Sequence, residues 1–385
     1  MIPYGRQSIS EEDINLVKSV LESDFLTQGP FVPKFEEEIA SITGSKHCIA
    51  ANSATSCLHL GCLSLGIGKG DIVWTSPISF VASSNAALYC GATVDFVDID
   101  ERTFNMCPII LEQKLKEAKI VDSLPKLVIV VHMCGNPADM KAIKQLSIKY
   151  GFKIMEDASH AIGSSIDDIK TGNCKYSDLC VFSFHPVKII TTGEGGVITT
   201  NSSNLAKKII SLRSHGITRE SKDFVNKDDG GWYYEQHSLG FNYRMTDIQA
   251  ALGYSQLQRL DQFIEKRNLL AKNYLNSLDG CPLNFQTINS SSLSSYHLFV
   301  IQLIKFETAK SRKQLYDWLK NNDIGVNVHY IPIHFQPYYE RIGFKRGSFP
   351  NAEKYYDASI SIPLYSDLSK SNQLKVIDTI TSFFQ

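Results

Sequence analysis

Leu127-Val128-Ile129-Val130-Val131-His132, a helical pattern from Asp139 to Tyr150, and Phe152-Lys153-Ile154-Met155-Glu156 decide the fold. Two short apolar runs flank one amphipathic segment. That order reads as strand, helix, strand, and a helical crossover of this length suits parallel strands. The same alternation extends outward. Lys46 to Ala51, Asp71 to Ser76 and Thr93 to Val97 read as strands upstream, with helices over Ala54 to Leu65 and Phe80 to Tyr89. Leu179 to Phe184 and Gly196 to Thr200 read as strands downstream. Strands separated by helices predict an α/β layer sandwich with a mostly parallel sheet. Such sheets bind ligands beyond the carboxyl ends of their strands, so chemistry is sought there.

Farther along, Met245 to Leu275 reads as one long helical rod. A strand from Ser295 to Ile304, a helix from Ala309 to Asn321 and a Tyr/Pro/His-rich loop from His329 to Tyr339 follow. A helix near Ala352 and another from Ser371 close the chain. This pattern divides the chain into a large domain, residues 1–255, and a smaller α+β domain, residues 256–385. Gly216 to His237, rich in Gly, Asp, Lys and Tyr, reads as a surface excursion.

The 385 residues are 43% hydrophobic and 21% charged, which excludes a mostly disordered chain. Lys plus Arg is 39 and Asp plus Glu is 40, a net charge of -1 that argues against a nucleic-acid binder. The N-terminal residues lack the apolar run of a secretory signal. The longest aliphatic run, Leu127 to Val131, is too short to span a membrane. Nine scattered cysteines, never spaced C-x-x-C, predict reduced thiols in the cytoplasm and no metal site.

Four segments carry candidate chemistry. Asn52-Ser53-Ala54-Thr55-Ser56 opens a helix after a strand, with Ser53 as N-cap and free N–H groups for an anion. Glu156-Asp157-Ala158-Ser159-His160 puts a carboxylate at a strand end. Phe182 to Gly196 holds Lys188 in a Gly-rich turn between apolar strands, where a desolvated lysine can attack a carbonyl. Gly240 to Asp247 offers Asn242 and Arg244 at a helix entry for anionic oxygens. Each alone has a plain structural reading. Ser53 caps a helix, Asp157 caps another, His160 packs in a core, Lys188 is a solvated loop lysine, and Arg244 sits in an ion pair. Together, an anion-binding helix start, a carboxylate and a sheltered lysine are what pyridoxal 5′-phosphate (PLP) needs.

The chain resembles the DegT/DnrJ/EryC1/StrS sugar aminotransferases, PLP-dependent enzymes of fold type I. The resemblance rests on N-S-A-T-S, E-D-A-S-H-A-I-G, S-F-H-P-V-K, T-T-G-E-G-G and G-F-N-Y-R-M-T-D-I-Q-A-A-L-G, in that order. It implies that Lys188 is the catalytic Schiff-base lysine and that Asp157 pairs with the pyridine nitrogen. Ala54 and Thr55 match the phosphate-binding helix start, and Ser183 a hydroxyl supporting it. Phe80 matches the residue stacked on the pyridine face, and His160 a histidine near the ring that orients Asp157. Asn242 matches a residue that reaches the phosphate from the neighbouring subunit, which implies a homodimer with a shared site. Tyr4, Asp24-Phe25-Leu26-Thr27 and His329-Tyr330-Ile331-Pro332 match places where the nucleotide sugar sits, along with Ala54, Ser183 and Asn242.

Within the family, P-I-S-F-V-A and V-H-Y-I-P…Q-P-Y-Y resemble transaminases of pseudaminic acid synthesis. That implies L-glutamate as donor and the C4 keto group of a UDP-linked 2-acetamido-2,6-dideoxy-hexos-4-ulose as acceptor. Amination at C3, another nucleotide sugar, and a non-catalytic PLP-binding sensor remain as alternatives. The family's dehydratases replace the lysine with histidine, whereas Lys188 is present here.

Overall fold

The computed structural model describes residues 1–304 and 311–385. Every residue of Leu127–Val131 is buried, as a strand covered on both faces demands. It lies within a seven-stranded sheet. The strand order is His47–Ala51, Gly196–Thr200, Leu179–Ser183, Lys153–Asp157, Leu127–Val131, Ile72–Thr75, Thr93–Phe96. Gly196–Thr200 runs against both of its neighbours, and the other pairings are parallel. The α/β architecture with a mostly parallel sheet is therefore the one read from the sequence.

Side chains alternate across this sheet with the period of two that strands impose. Leu127 and Ile129 pack on one face with helices Ala54–Ser64, Ala82–Tyr89 and Ser203–Arg213. Val128 and Val130 pack on the other with Pro108–Ile120 and Met140–Tyr150. Register sets the ligand end of the sheet, because Val131 pairs with Asp157 and Asp157 with Val181. The carboxyl ends of three adjacent parallel strands, at Val131, Asp157 and Ser183, thus lie together.

The rod expected over Met245 to Leu275 is two helices, Asp247–Leu257 and Leu260–Ser277. The break falls at Arg259, whose φ of -113° and ψ of 8° leave helical geometry. Neither glycine nor proline marks it. The cause is tertiary: Arg259 and Gln256 both donate to the buried carboxylate of Asp13, at 2.5 and 2.6 Å. A second buried carboxylate, Asp247, accepts from the N–H groups of Gly29 and Phe31 at 2.8 and 2.7 Å. It holds the start of helix Phe31–Thr43, where orphan donors and the helix dipole favour negative charge.

The C-terminal region builds an antiparallel sheet of Leu283–Phe285, Phe299–Leu303 and Ser359–Ile362. Tyr274, Ile301, Leu315, Ile360 and Ile380 form its core. The helix expected from Ala309 is seen over Arg312–Asn321 with Ser311 as cap, and Ala309 lies outside the described residues. The N-terminal arm is tied here. Ile2 donates to Asp323 and Leu364 donates to the Tyr4 carbonyl, which carries Tyr4 to the ligand end of the large sheet. In the excursion from Gly216 to His237, Ile217–Thr218 pairs with Glu235–Gln236, and Val225 and Trp232 are exposed. Among the described residues, no helix is long and apolar enough to cross a membrane.

Candidate active site

A cavity of about 620 Å³ opens at the carboxyl ends of those strands. Its wall includes Ser53, Ala54 and Thr55 from the start of helix Ala54–Ser64, Asp157 and Ser183 from strand ends, and Lys188 from the Gly-rich turn. Ser53 caps its helix by accepting from the Ser56 N–H at 3.0 Å. The N–H groups of Ala54 and Thr55 sit in the first turn, where helices leave donors without internal partners. Gly196 lets the neighbouring strand approach this start closely. A Cβ there would lie 2.6 Å from the Ala54 nitrogen, so any side chain would displace the anion site.

Asp157 is 5% exposed, and both of its carboxylate oxygens are held. Oδ2 accepts from the Ser83 hydroxyl at 2.6 Å. Oδ1 accepts from the Ser159 hydroxyl at 2.6 Å and from its N–H at 3.2 Å.

Lys188 sits in a turn whose following residues, Ile189 and Ile190, are buried. Its N–H donates to the His185 carbonyl at 2.8 Å. Loss of water around its amine pulls the pKa down to about 8, against the opposing pull of the Asp157 charge. An amine so tuned is substantially neutral just above neutrality and can act as nucleophile or base. The rate at which cofactor-free protein captures PLP, read from growth of the visible band, is expected to rise about tenfold between pH 7 and 9 and then level off. A lysine of ordinary pKa would instead keep gaining about tenfold per pH unit past pH 9, and that profile would contradict the assignment.

Histidines and tyrosines complete the wall. His160 receives the Cys134 N–H at Nδ1, so its Nε2 carries the hydrogen toward the Tyr330 hydroxyl at 3.0 Å. Burial, aided by the Lys188 charge, pushes this imidazole well below its usual range. His160 does not hydrogen-bond to Asp157; the serines occupy that role, which corrects the expectation that the histidine orients the carboxylate. His329 donates or accepts at Nδ1 with Ser361 at 2.8 Å, and its pKa is pushed down to about 3 by burial and then by Lys188. Tyr4 packs its ring 5.3 Å from that of His329. Phe80, 59% exposed, lines the cavity with its ring 6.2 Å from Tyr330.

The cavity thus gathers Tyr4, Ala54, Thr55, Phe80, Asp157, His160, Ser183, Lys188, His329 and Tyr330 from the residues read in the sequence. It does not include Asp24, Phe25, Leu26, Thr27, Asn242, Ile331 or Pro332. Thr27 bridges to Thr246, and the Leu26 carbonyl accepts from Asp247, so the 24–27 stretch lies against the helix entry that follows exposed Asn242. Those two stretches share one surface outside the chain's own cavity. Residues missed in the sequence include Ser83, Ser159, His297 and Asn327. Ser159 alone had a local signal, standing two residues after Asp157.

The donor set fits PLP. Helix N–H groups and the Ser183 hydroxyl suit a phosphate, a pinned carboxylate suits a protonated ring nitrogen, and the neutralisable amine of Lys188 suits an aldehyde.

The model of the DegT/DnrJ/EryC1/StrS aminotransferase family matches residues 7–381. The chain is 37% identical over 382 residues to the spore coat polysaccharide biosynthesis protein SpsC of Bacillus subtilis, covering 98% of this chain and 96% of that one. It is also 37% identical over 388 residues to the UDP-4-amino-4,6-dideoxy-N-acetyl-beta-L-altrosamine transaminase of Campylobacter jejuni, covering 100% and 98%. Among solved structures, PseC of Helicobacter pylori, an aminotransferase of pseudaminic acid biosynthesis, superposes with a TM-score of 0.89 at 32% identity, covering 100% and 99%. The PLP form of the putative sugar aminotransferase Spr1654 from Streptococcus pneumoniae gives 0.88 at 27%, covering 99% and 98%.

Proposed function

We propose, for a chain that belongs to the DegT/DnrJ/EryC1/StrS aminotransferase family and is a PLP-dependent sugar transaminase, that it aminates C4 of a UDP-linked 2-acetamido-2,6-dideoxy-hexos-4-ulose with L-glutamate as donor. The observation that carries this reading is the meeting of Lys188, Asp157 and the Ala54–Thr55 helix start in one cavity. The relatives named for a UDP-amino sugar and for pseudaminic acid biosynthesis support the acceptor class.

When bound, the cofactor supplies an aldehyde that condenses with amines and a ring that takes up an electron pair. The chain's residues do the rest. Ala54, Thr55 and Ser183 hold the phosphate. Phe80 covers the ring face. Asp157 keeps a proton on the ring nitrogen. Lys188 would hold the cofactor through its aldehyde, and its freed amine would take up and give back the proton of the donor Cα. A pKa of about 8 suits that two-way traffic. 2-Oxoglutarate leaves before the sugar enters, so the kinetics are ping-pong. Tyr4, His329 and Tyr330 face the incoming sugar; Asp24 to Thr27, Ile331 and Pro332 serve its outer part.

The site is completed by a second copy of the chain. Asn242 and the Asp24–Thr27 stretch share a surface outside their own cavity, which suits residues that serve a neighbour's. Mixing Lys188→Ala and Asn242→Ala subunits then regenerates one intact site per mixed dimer, about a quarter of wild-type activity at random exchange. No regain despite subunit exchange would contradict sharing.

The acceptor is tested by incubating the loaded protein with L-glutamate and UDP-2-acetamido-2,6-dideoxy-β-L-arabino-hex-4-ulose, with other 3-keto and 4-keto nucleotide sugars alongside. NMR of the product should show a new amine at C4. Turnover of a different sugar, with none of this one, would overturn the substrate assignment and leave the transaminase intact.

A further inference from the structure

We propose that Ser83 and Ser159 are positioning residues that clamp the Asp157 carboxylate from both sides and so fix its aim at the cofactor ring nitrogen. The inference rests on the reading of Asp157 as that nitrogen's partner. The clamp has two independent arms. Ser159 approaches Oδ1 from the strand's own continuation, by hydroxyl and N–H. Ser83 approaches Oδ2 from 74 residues away, on helix Ala82–Tyr89. Both hydroxyl contacts are 2.6 Å, the short range of hydroxyl donors to ionised acceptors.

A third hydroxyl fixes the direction of the chain. Ser79 Oγ lies 2.7 Å from Ser83 Oγ. A serine hydroxyl has one proton, and that of Ser83 is committed to the nearby carboxylate rather than to the Phe80 carbonyl at 3.3 Å. Ser79 therefore donates to Ser83. Ser79 is 4% exposed and Ser83 is fully buried, so water does not compete for this relay.

The placement has a consequence for the reaction. Phe80 and Ser83 are three residues apart, on one turn joined by the Ser83 N–H to the Phe80 carbonyl at 3.3 Å. One segment thus supplies an aromatic that lines the cavity and a hydroxyl that holds the Asp157 carboxylate. A carboxylate held at one oxygen alone retains freedom to rotate; held at both, it presents a fixed edge to the cavity. Preorganised partners of this kind cost no rearrangement as charge moves into the ring.

The test uses the whole protein loaded with PLP carrying ¹⁵N in the ring. In Ser83→Ala and Ser159→Ala, cofactor affinity is expected to weaken about tenfold each and about a hundredfold together. The ring ¹⁵N resonance should move from its protonated position toward the unprotonated one in the double variant, and kcat should fall while KM for L-glutamate holds. Ser159→Thr, which restores the hydroxyl, should return both readouts. Folded variants with unchanged ¹⁵N position and cofactor affinity would overturn the clamp. Ser159 is partly exposed, so its variant remains informative if Ser83→Ala does not fold. Asp157→Asn is the control. If it too leaves the ¹⁵N position unchanged, the pairing of Asp157 with the ring has failed rather than the clamp.

Discussion

Lys188→Arg folds normally, binds PLP without a covalent link, and loses at least about 10⁴-fold in turnover. Arginine keeps the positive charge and nearly the length of lysine, so the substitution isolates chemistry from electrostatics. A guanidinium does not lose its proton in proteins and cannot condense with an aldehyde. Lys188, by contrast, has its pKa drawn down to about 8 by the loss of water around it. Its contribution to the fold is a backbone N–H to His185, which any residue but proline supplies. The apolar packing of this turn belongs to Ile189 and Ile190. Borohydride reduction followed by intact mass should show cofactor fixed to the wild type and none on the variant. Near-normal turnover would remove Lys188 from its role.

Asp157→Asn lowers kcat about 10²- to 10⁴-fold, the scale of losing one preorganised electrostatic partner. The amide has the shape of the carboxylate but lacks its charge, so it no longer favours a protonated ring nitrogen. It also disrupts the clamp. Ser83 and Ser159 both donate to the carboxylate, and an amide offers one acceptor oxygen and one NH₂ donor. One serine then faces a donor. A second readout follows from the charge itself. Asp157 raises the pKa of Lys188, opposing desolvation. Removing that charge moves the midpoint of PLP capture below about 8, while the plateau at high pH remains. An unshifted midpoint would mean that the two groups do not sense each other.

Much of this site was legible because its residues stand where local patterns are strongest. Lys188 and Asp157 follow apolar strands, and Ser53 opens a helix with a cap signature. The sheet was legible because buried parallel strands leave short apolar runs, as in Leu127–Val131. What escaped was tertiary. Ser83 gives no local sign that it will meet Asp157, 74 residues away. The helix break at Arg259 has neither glycine nor proline, and comes from a contact with Asp13. The family resemblance, not the local sequence, made His160 a partner for Asp157. The chain instead turns it toward Cys134 and Tyr330. Helix Glu11–Leu21 went unread although Ser10 and Asp13 form a local capping box at its start, whereas Phe31–Thr43 has no side-chain cap of its own and begins on distant Asp247.

The most direct measurement is the visible spectrum of the PLP-loaded protein before and after L-glutamate. The account predicts a band from cofactor joined to Lys188 that bleaches to a pyridoxamine-type spectrum as 2-oxoglutarate is released. A protein that forms no band with PLP, or whose band no amino donor alters, would contradict it.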